Sequence, residues 1–471
     1  MENFSIEVDK DGIALVTWDM PGRSMNVISE SVMRELSDLV DRFQKDDAIK
    51  GVVLTSGKSS FCAGADLEML ESLAIETAKI DPDNTEQVKT FFDNTFFLNS
   101  IFRRMETCGK PVVAALTGTA LGGGLEAALA THYRISVEDD RAKIGLPEAL
   151  VGLLPGGGGT QRLPRMISVG AALPLIIQGQ QISPKKAHEM GIINKLVSSQ
   201  DELIPEAKKW ILNEGTAEQP WDQKGYKVPG GNPYHPAANQ NFIVGTAMLR
   251  EKTFGNYPAQ SYIMSCVYEG TLVPIDAGLR IESRYFAKLL MRSEARNMIR
   301  SIFMSKGELE KGARRPQGVD ETHTEKVGIL GAGLMGAGVA YVSAMAGIKV
   351  VLLDRDQEAA EKGKSYSTGL LEKRVSKGRM TEAKRDEILS LIHPTTDYAD
   401  LKDCDLIIEA VFENSEIKAE VTKKTEAQIA PDAVFGTNTS TIPITDLAEA
   451  SERPDNFIGV HFFSPVDKMM L

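Results

Sequence analysis

The chain has 471 residues but only four cysteines, Cys62, Cys108, Cys266 and Cys404, and none stands in a CxxC pair. That scarcity argues against a disulfide framework and a cysteine zinc site, and it fits a reducing compartment. No metal centre is expected. Basic charge is also in deficit: 53 Lys and Arg face 65 Asp and Glu, for a net charge of −12. Nucleic acid is therefore excluded as the main partner, because phosphate binding needs a basic surface. A small anion held by backbone amides is not excluded. Long apolar runs are missing. Val112 to Leu125 is uncharged but too short to cross a bilayer, and it ends at Glu126. The opening MENFSIEVDK lacks the basic segment and apolar core of a secretory leader. A cytoplasmic location without a transmembrane segment is the expectation. The composition, 42% hydrophobic and 25% charged, is ordinary for a globular chain, and the length predicts about two to four domains.

What the sequence does have is concentrated between Ala120 and Glu148. Lys110 to Leu116 (KPVVAAL) is apolar and β-branched, so it reads as a buried strand. Gly122, Gly123 and Gly124 follow, and they allow a tight turn and close approach to a ligand. Glu126 then stands at the start of an Ala- and Leu-rich helix, where a carboxylate is costly unless it has a task. Glu148 adds a second acid beside Gly145 and Pro147. A Gly-rich turn with two surface glutamates is the competing reading. Upstream, Gly12 to Trp18 and Lys50 to Thr55 read as strands, and Asn26 to Phe43 as an amphipathic helix. Ser59 to Leu67 is a small-residue turn leading into a helix. Cys62 within it has no nearby histidine in sequence and reads as a packing residue rather than a nucleophile.

FCAGADL, ALGGGLE and KIGLPEALVGLLPGGGGTQRL, in that order, resemble the crotonase family of enoyl-CoA hydratases and isomerases over roughly the first 200 residues. The resemblance implies stacked ββα turns and an oxyanion hole made by the backbone N–H groups of Ala63 and Gly123. It also implies coenzyme A thioester contacts at Ser24, Ala63, Gly64, Ala65, Asp66 and Gly123. Adding water to a 2-enoyl thioester drives negative charge onto its carbonyl oxygen. Each of two preorganised N–H donors stabilises that charge by about 3–4 kcal/mol. Water must also be activated and the α-carbon protonated. Glu126 is assigned to the water and Glu148 to the α-proton, each acid–base role contributing roughly 10²–10⁴ in rate. A crotonase-fold isomerase is the alternative. Gly156 to Gly159 read as a flexible loop entering a helix, placed by the resemblance beside the acyl pocket.

Residues 1–200 are thus expected to form the crotonase-type domain, and 201–304 a helical extension with a linking helix and no chemistry. Residues 305–325, polar and containing Pro316 and Gly318, are expected to be the linker. From Lys326 a second α/β pattern begins. Val327 to Leu330 reads as a strand, Gly331-Ala332-Gly333-Leu334-Met335-Gly336 opens a helix, and Asp354 closes the next strand. In that context a GxGxxG predicts a Rossmann-type doubly wound domain binding NAD. The pyrophosphate would lie on the glycines and Asp354 on the ribose hydroxyls.

DLIIE (405–409), VFGTNTS (434–440) and IGVHFFSP (458–465) resemble the 3-hydroxyacyl-CoA dehydrogenase family, from 326 to 471. That resemblance implies NAD contacts at Met335, Asp354, Val411, Phe412, Glu413, Lys418, Ser440 and Ser464, with His461 as general base. Ser464 departs from the family's usual asparagine. A crotonase half followed by a dehydrogenase half is similar to the α-subunits of fatty-acid β-oxidation multienzyme complexes, which implies acyl-CoA substrates and a thiolase partner. In that family a glutamate beyond this C-terminus orients His461, and a helical domain closes the site. The chain is therefore expected to be C-terminally incomplete, to hydrate enoyl-CoA, and to oxidise 3-hydroxyacyl-CoA poorly. A vestigial nucleotide domain, or a scaffold that docks the thiolase, is the remaining alternative.

Overall fold

A computed structural model describes residues 1–319 and 321–469. Of the terminal apolar run read above, Met470 and Leu471 lie outside the described residues, as does Asp320 of the expected linker. The chain divides into two compact units, Met1–Arg315 and Pro316–Leu471.

The first unit has nine strands: β1 (Phe4–Val8), β2 (Ile13–Trp18), β3 (Gly51–Ser56), β4 (Val112–Leu116), β5 (Ala120–Leu121), β6 (Tyr133–Val137), β7 (Ile144–Gly145), β8 (Gln181–Ile182) and β9 (Lys195–Val197). Six form one sheet in the order β1-β2-β3-β4-β6-β9, parallel except for the β1–β2 hairpin. The short strands β5, β7 and β8 form a second sheet. This is the α/β architecture expected of stacked ββα turns. β3 and β4 are buried along their whole length, as the unbroken VVL and VVAAL runs require of parallel strands covered on both faces. The helix after β2 starts at Glu30, later than the sequence pattern implied, because the Ser29 side chain caps it by accepting from Val32 N–H. Its buried stripe is Val32, Leu36, Leu39, Val40 and Phe43, with Met33 at the margin.

The helices Pro236–Thr253, Pro258–Gly270 and Ile275–Leu290 do not form a separate body. Their apolar residues Phe242, Ile263, Val267 and Leu289 join the same core as Trp18, Phe61 and Leu125. The helix Ile275–Leu290 turns Leu279, Glu282, Ser283 and Ala287 inward. Glu282 is completely buried.

The second unit contains β10 (Lys326–Leu330), β11 (Lys349–Leu353), β12 (Ile392–Thr395), β13 (Leu406–Glu409), β14 (Val434–Thr437) and β15 (Phe457–Gly459). They form one parallel sheet in the order β12-β11-β10-β13-β14-β15, the doubly wound pattern of dinucleotide-binding domains. Ligands of such sheets sit at the strand C-termini near the order reversal, here at the ends of β10 and β13. No described helix is long and apolar enough to cross a membrane.

Candidate functional site

In the first unit the turns 61–66 and 120–123 lie side by side. Cys62 and Ala120 form a bridge, and a Cβ on Gly64 would fall 3.3 Å from the Leu121 carbonyl oxygen. Cys62 is fully buried, and that burial pushes its thiol up to about 12, which makes it a packing residue. Asp66 caps the helix Leu67–Thr77 through Glu68 N–H and pairs with Arg23 at 2.7 Å, which ties the exposed loop carrying Ser24 to this turn.

The amides of this turn require one correction. Ala63 N–H donates to the Asn26 carbonyl at 2.9 Å, so it is not available for an oxyanion. Gly64 N–H faces the Cys62 sulfur and Asp66 N–H donates to the Ile28 carbonyl. Among the described residues Ala65 N–H has no acceptor, and neither has Gly123 N–H, which precedes the first helical hydrogen bond. Ala65 and Gly123 are therefore among the unused donors of these two turns. Motif position alone misplaced the first by two residues. Asn26 also escaped the sequence reading. It is buried, and its side chain binds Trp18 and Phe61 carbonyls, Ser56 Oγ and Met20 N–H, which fixes the backbone that consumes Ala63.

Glu126 is 2% exposed and Glu148 half-buried. A Cβ on Gly122, whose φ is +50°, would fall 2.7 Å from Glu148 Oε1, so this acid faces the turn that leads to Glu126. Glu126 Oε1 accepts Gly157 N–H and Gly159 N–H, both at 2.7 Å. Among the described residues no donor bonds its Oε2, and Glu148 Oε2 is buried without a partner. Two carboxylate oxygens are thus left for something absent from the protein's own bonding. Burial raises the Glu126 carboxyl well above its ordinary value, and the Glu148 and Glu282 charges add to this. Burial likewise pushes Glu148 up to about 8.

Gly156 to Gly159 form no flexible loop, which corrects a second expectation. Besides the two bonds to Glu126, Gly158 N–H and Thr160 N–H donate to Glu282 at 2.6 and 3.0 Å, and Arg162 Nη1 holds the Gly157 carbonyl at 2.8 Å. Glu282 is the residue that sequence reading missed, in a helix credited with no chemistry. Its trace was a charged residue three positions after Leu279, on the face that buries Gly278, Leu279, Ser283 and Ala287.

In the second unit Gly331 has φ +94°, and a Cβ on Gly336 would lie 1.8 Å from the Gly331 carbonyl oxygen. A Cβ on Gly333 meets nothing within 4 Å. The first and third glycines thus serve the turn and its packing, while the second faces open space, as a bound pyrophosphate requires. Asp354 accepts Ala332 N–H at 2.6 Å and braces this turn. Met335 is half-buried, and Phe412 and Ser464 are exposed. Val411 N–H donates to Glu409. Lys418 is buried, its ammonium 2.8 Å from Glu409 and 3.3 Å from Glu413. Partial burial pushes Glu413 up, but Thr439 Oγ1, the N–H groups of Ser440 and Thr441, and Lys418 outweigh it and hold the carboxyl near 2. His461 is exposed, with Nε2 3.2 Å from Ser440 Oγ and its ring edge-on to Phe463. Glycine turn, Glu413, Ser440 and His461 all follow the C-terminal ends of parallel strands. Among the described residues no group of three or more His, Cys, Asp or Glu could hold a metal.

Residues 9–218 match the family model for enoyl-CoA hydratase/isomerase, and residues 326–471 that for the 3-hydroxyacyl-CoA dehydrogenase NAD binding domain. Over 473 residues the chain is 38% identical to the fatty acid oxidation complex subunit alpha of Shewanella baltica (strain OS155), covering 100% of this chain and 65% of the relative. The namesake subunit of Shewanella sp. (strain MR-4) is 37% identical over 472 residues, covering 100% of this chain and 64% of that one. The solved (S)-3-hydroxybutyryl-CoA dehydrogenase of Ralstonia eutropha is 39% identical over 31% of this chain and 52% of its own, with a TM-score of 0.31. The chain spans slightly less than two thirds of the length of the curated relatives it matches. Two family models are matched in succession and the alignment runs the chain's whole length, so the chain is similar to the fatty acid oxidation complex alpha subunits, with an enoyl-CoA hydratase/isomerase match followed by a 3-hydroxyacyl-CoA dehydrogenase NAD binding domain match.

Proposed function

We propose that the first unit adds water to 2-enoyl-CoA thioesters and that the second takes part in NAD-dependent oxidation of the resulting 3-hydroxyacyl-CoA. The observation that carries the first half is the pair of partnerless oxygens, Glu126 Oε2 and Glu148 Oε2, on two acids whose protons are held above the usual carboxylate range. Such a pair can hold one water. Glu126, fixed by two amides through its other oxygen, takes the water's proton as the O–C bond forms at the β-carbon. Glu148, still protonated at neutral pH, gives its proton to the α-carbon. Ala65 and Gly123 N–H receive the thioester oxygen as charge builds on it. Hydratase is favoured over isomerase because both acids are present and differently bonded.

In the second unit the open face of Gly333, the tight Gly331–Gly336 packing and the anchored Asp354 fit a dinucleotide. NAD, when bound, would supply the hydride acceptor. Gly331, Gly333, Met335, Gly336 and Asp354 would hold it, together with Val411, Phe412, Glu413, Ser440 and Ser464. Lys418 acts behind them by fixing Glu409 and Glu413. His461 takes the hydroxyl proton of the substrate, oriented on one side by Ser440. The relatives' designation as subunit alpha supports a multi-subunit assembly, and a thiolase, which consumes the 3-oxoacyl product, is the partner proposed. Four buried cysteines without a disulfide support a reducing, cytoplasmic location.

The test is loss of enoyl-thioester absorbance with wild-type chain, Glu126→Gln and Glu148→Gln. Each variant should lose about 10²–10⁴ in kcat. Undiminished hydration in either one removes the assignment. Formation of NADH from 3-hydroxyacyl-CoA, expected to be slow in this chain and absent in His461→Ala, tests the second half.

A further inference from the structure

Three carboxyls of the first unit, Glu126, Glu148 and Glu282, interact electrostatically, and the hydration chemistry uses only two of them. The backbone from Gly157 to Thr160 presents its N–H groups alternately to opposite sides. Gly157 and Gly159 donate to Glu126, while Gly158 and Thr160 donate to Glu282. Glu282 also accepts Thr160 Oγ1 at 2.5 Å and Asn99 Nδ2 at 3.1 Å. We infer that Glu282 is a positioning residue for the hydratase, clamping this turn from behind so that its amides hold Glu126 Oε1 and leave Oε2 free to meet water. The inference rests on the hydratase reading given above.

The three acids are unequally bonded. Glu282 has four donors, Glu126 two, and Glu148 Oε2 none. Burial raises the Glu282 carboxyl above its ordinary value, but the bonds from Thr160, Asn99 and Gly158 oppose that rise, so of the three acids Glu282 is the best placed to hold a charge and the mobile proton falls to the other two. When ionised, Glu282 contributes a negative charge that raises Glu126 and Glu148, and it fixes the turn. The charged and titratable groups facing it are Glu126, Glu148, Arg162 and the buried Cys266 thiol. Arg162 is itself engaged by Glu106 through two bonds, 2.8 and 2.9 Å, so it does not cancel the cluster's charge. The turn cannot hold its shape by steric limits alone. Gly158 has φ +101°, and a Cβ there would fall 1.7 Å from Arg162 Nη1, so side chains that would stiffen it are excluded. Its conformation depends on the bonds at both faces.

The test compares wild-type chain with Glu282→Gln and with Thr160→Val, which removes one donor to Glu282 and leaves every carboxyl in place. Glu282→Gln should lower kcat about 10- to 100-fold with KM within about threefold, because the water-holding acid is misplaced while the thioester contacts survive. Removing the neighbouring charge should move both limbs of the pH–kcat/KM profile to lower pH, the alkaline limb by about one unit. Thr160→Val should shift both in the same direction by less, and it carries the test should Glu282→Gln fail to fold. Infrared titration of the protonated-carboxyl band needs no turnover and should shift with the profile. Should wild-type chain fail to hydrate, the hydratase reading falls, while the band still tests whether Glu282 tunes the cluster. A variant that merely melts lower, with kcat, pH limbs and band unmoved, overturns the inference.

Discussion

Each unit of this protein carries a glycine-rich turn, and the two are used in opposite ways. In the first, Gly157, Gly158, Gly159 and the following Thr160 spend all four N–H groups on the protein's own carboxylates, inside the core. In the second, Gly333 opens onto space and the turn is braced from one side by Asp354. Glycine content therefore does not tell whether a turn binds a ligand. What separates the two is the presence of buried acids opposite the amides. A backbone donor already matched by an internal carboxylate positions that carboxylate, whereas an unmatched one awaits an external anion.

The largest effects should separate the units. Glu126→Gln and Glu148→Gln should each cost about 10²–10⁴ in hydration and leave dinucleotide binding by the second unit unchanged, as read by NADH fluorescence titration. A loss in both would mean that the comparison is too simple. Next, Gly158→Ala should lose more than about tenfold in hydration and lower the melting temperature of the first unit, given its positive φ and the Arg162 guanidinium in the way. Gly333→Ala should fold normally, because nothing lies near the added methyl, yet bind NADH more weakly. A Gly158→Ala chain with full activity would contradict the reading of the inner turn.

A smaller effect concerns pH. Glu148 is held up to about 8, so its proton-bearing form persists through neutrality. Hydration should fall as pH rises through about 8. The sign for stability is the same. A raised carboxyl contributes in full below its ordinary value and loses that contribution as pH climbs through the folded-state value. The first unit should therefore melt lower at pH 9 than at pH 6 by calorimetry. Glu413, held near 2, behaves oppositely: its contribution is full above the ordinary carboxylate value and is lost as pH falls from there to about 2. The smallest expected change is Arg23→Ala. It breaks a half-exposed pair with Asp66 and should raise KM for the thioester a few-fold with kcat unchanged.

Much of this was legible in the sequence, for local reasons. Glu126 and Glu148 stand beside glycine turns, and the strands around them are continuous apolar runs. The GxGxxG signal carried its own context of strand, helix and acid. What failed had a common cause. Ala63 and Ala65 differ only in whether a carbonyl from Asn26 reaches them, and that carbonyl lies in another loop. Glu282 sits 124 residues from the amide it binds, in a helix whose 3- and 4-residue spacing looks like ordinary packing. The Gly156–Gly159 segment read as flexible because flexibility is what unpartnered glycines confer, and its partners are distant in the chain. Register at long range is set by packing, which a local pattern does not encode.

The central claim is that paired acids deliver water to one carbon and a proton to its neighbour. Its most direct measurement is NMR of the product formed from a 2-enoyl thioester in D₂O. The account predicts a 3-hydroxyacyl thioester with one deuterium at the α-carbon, its formation slowed about 10²–10⁴-fold by Glu148→Gln. A 3-enoyl product, formed by loss of a γ-proton and deuteration of the α-carbon, or an α-deuterated 3-hydroxyacyl product formed at full rate by Glu148→Gln, would contradict it.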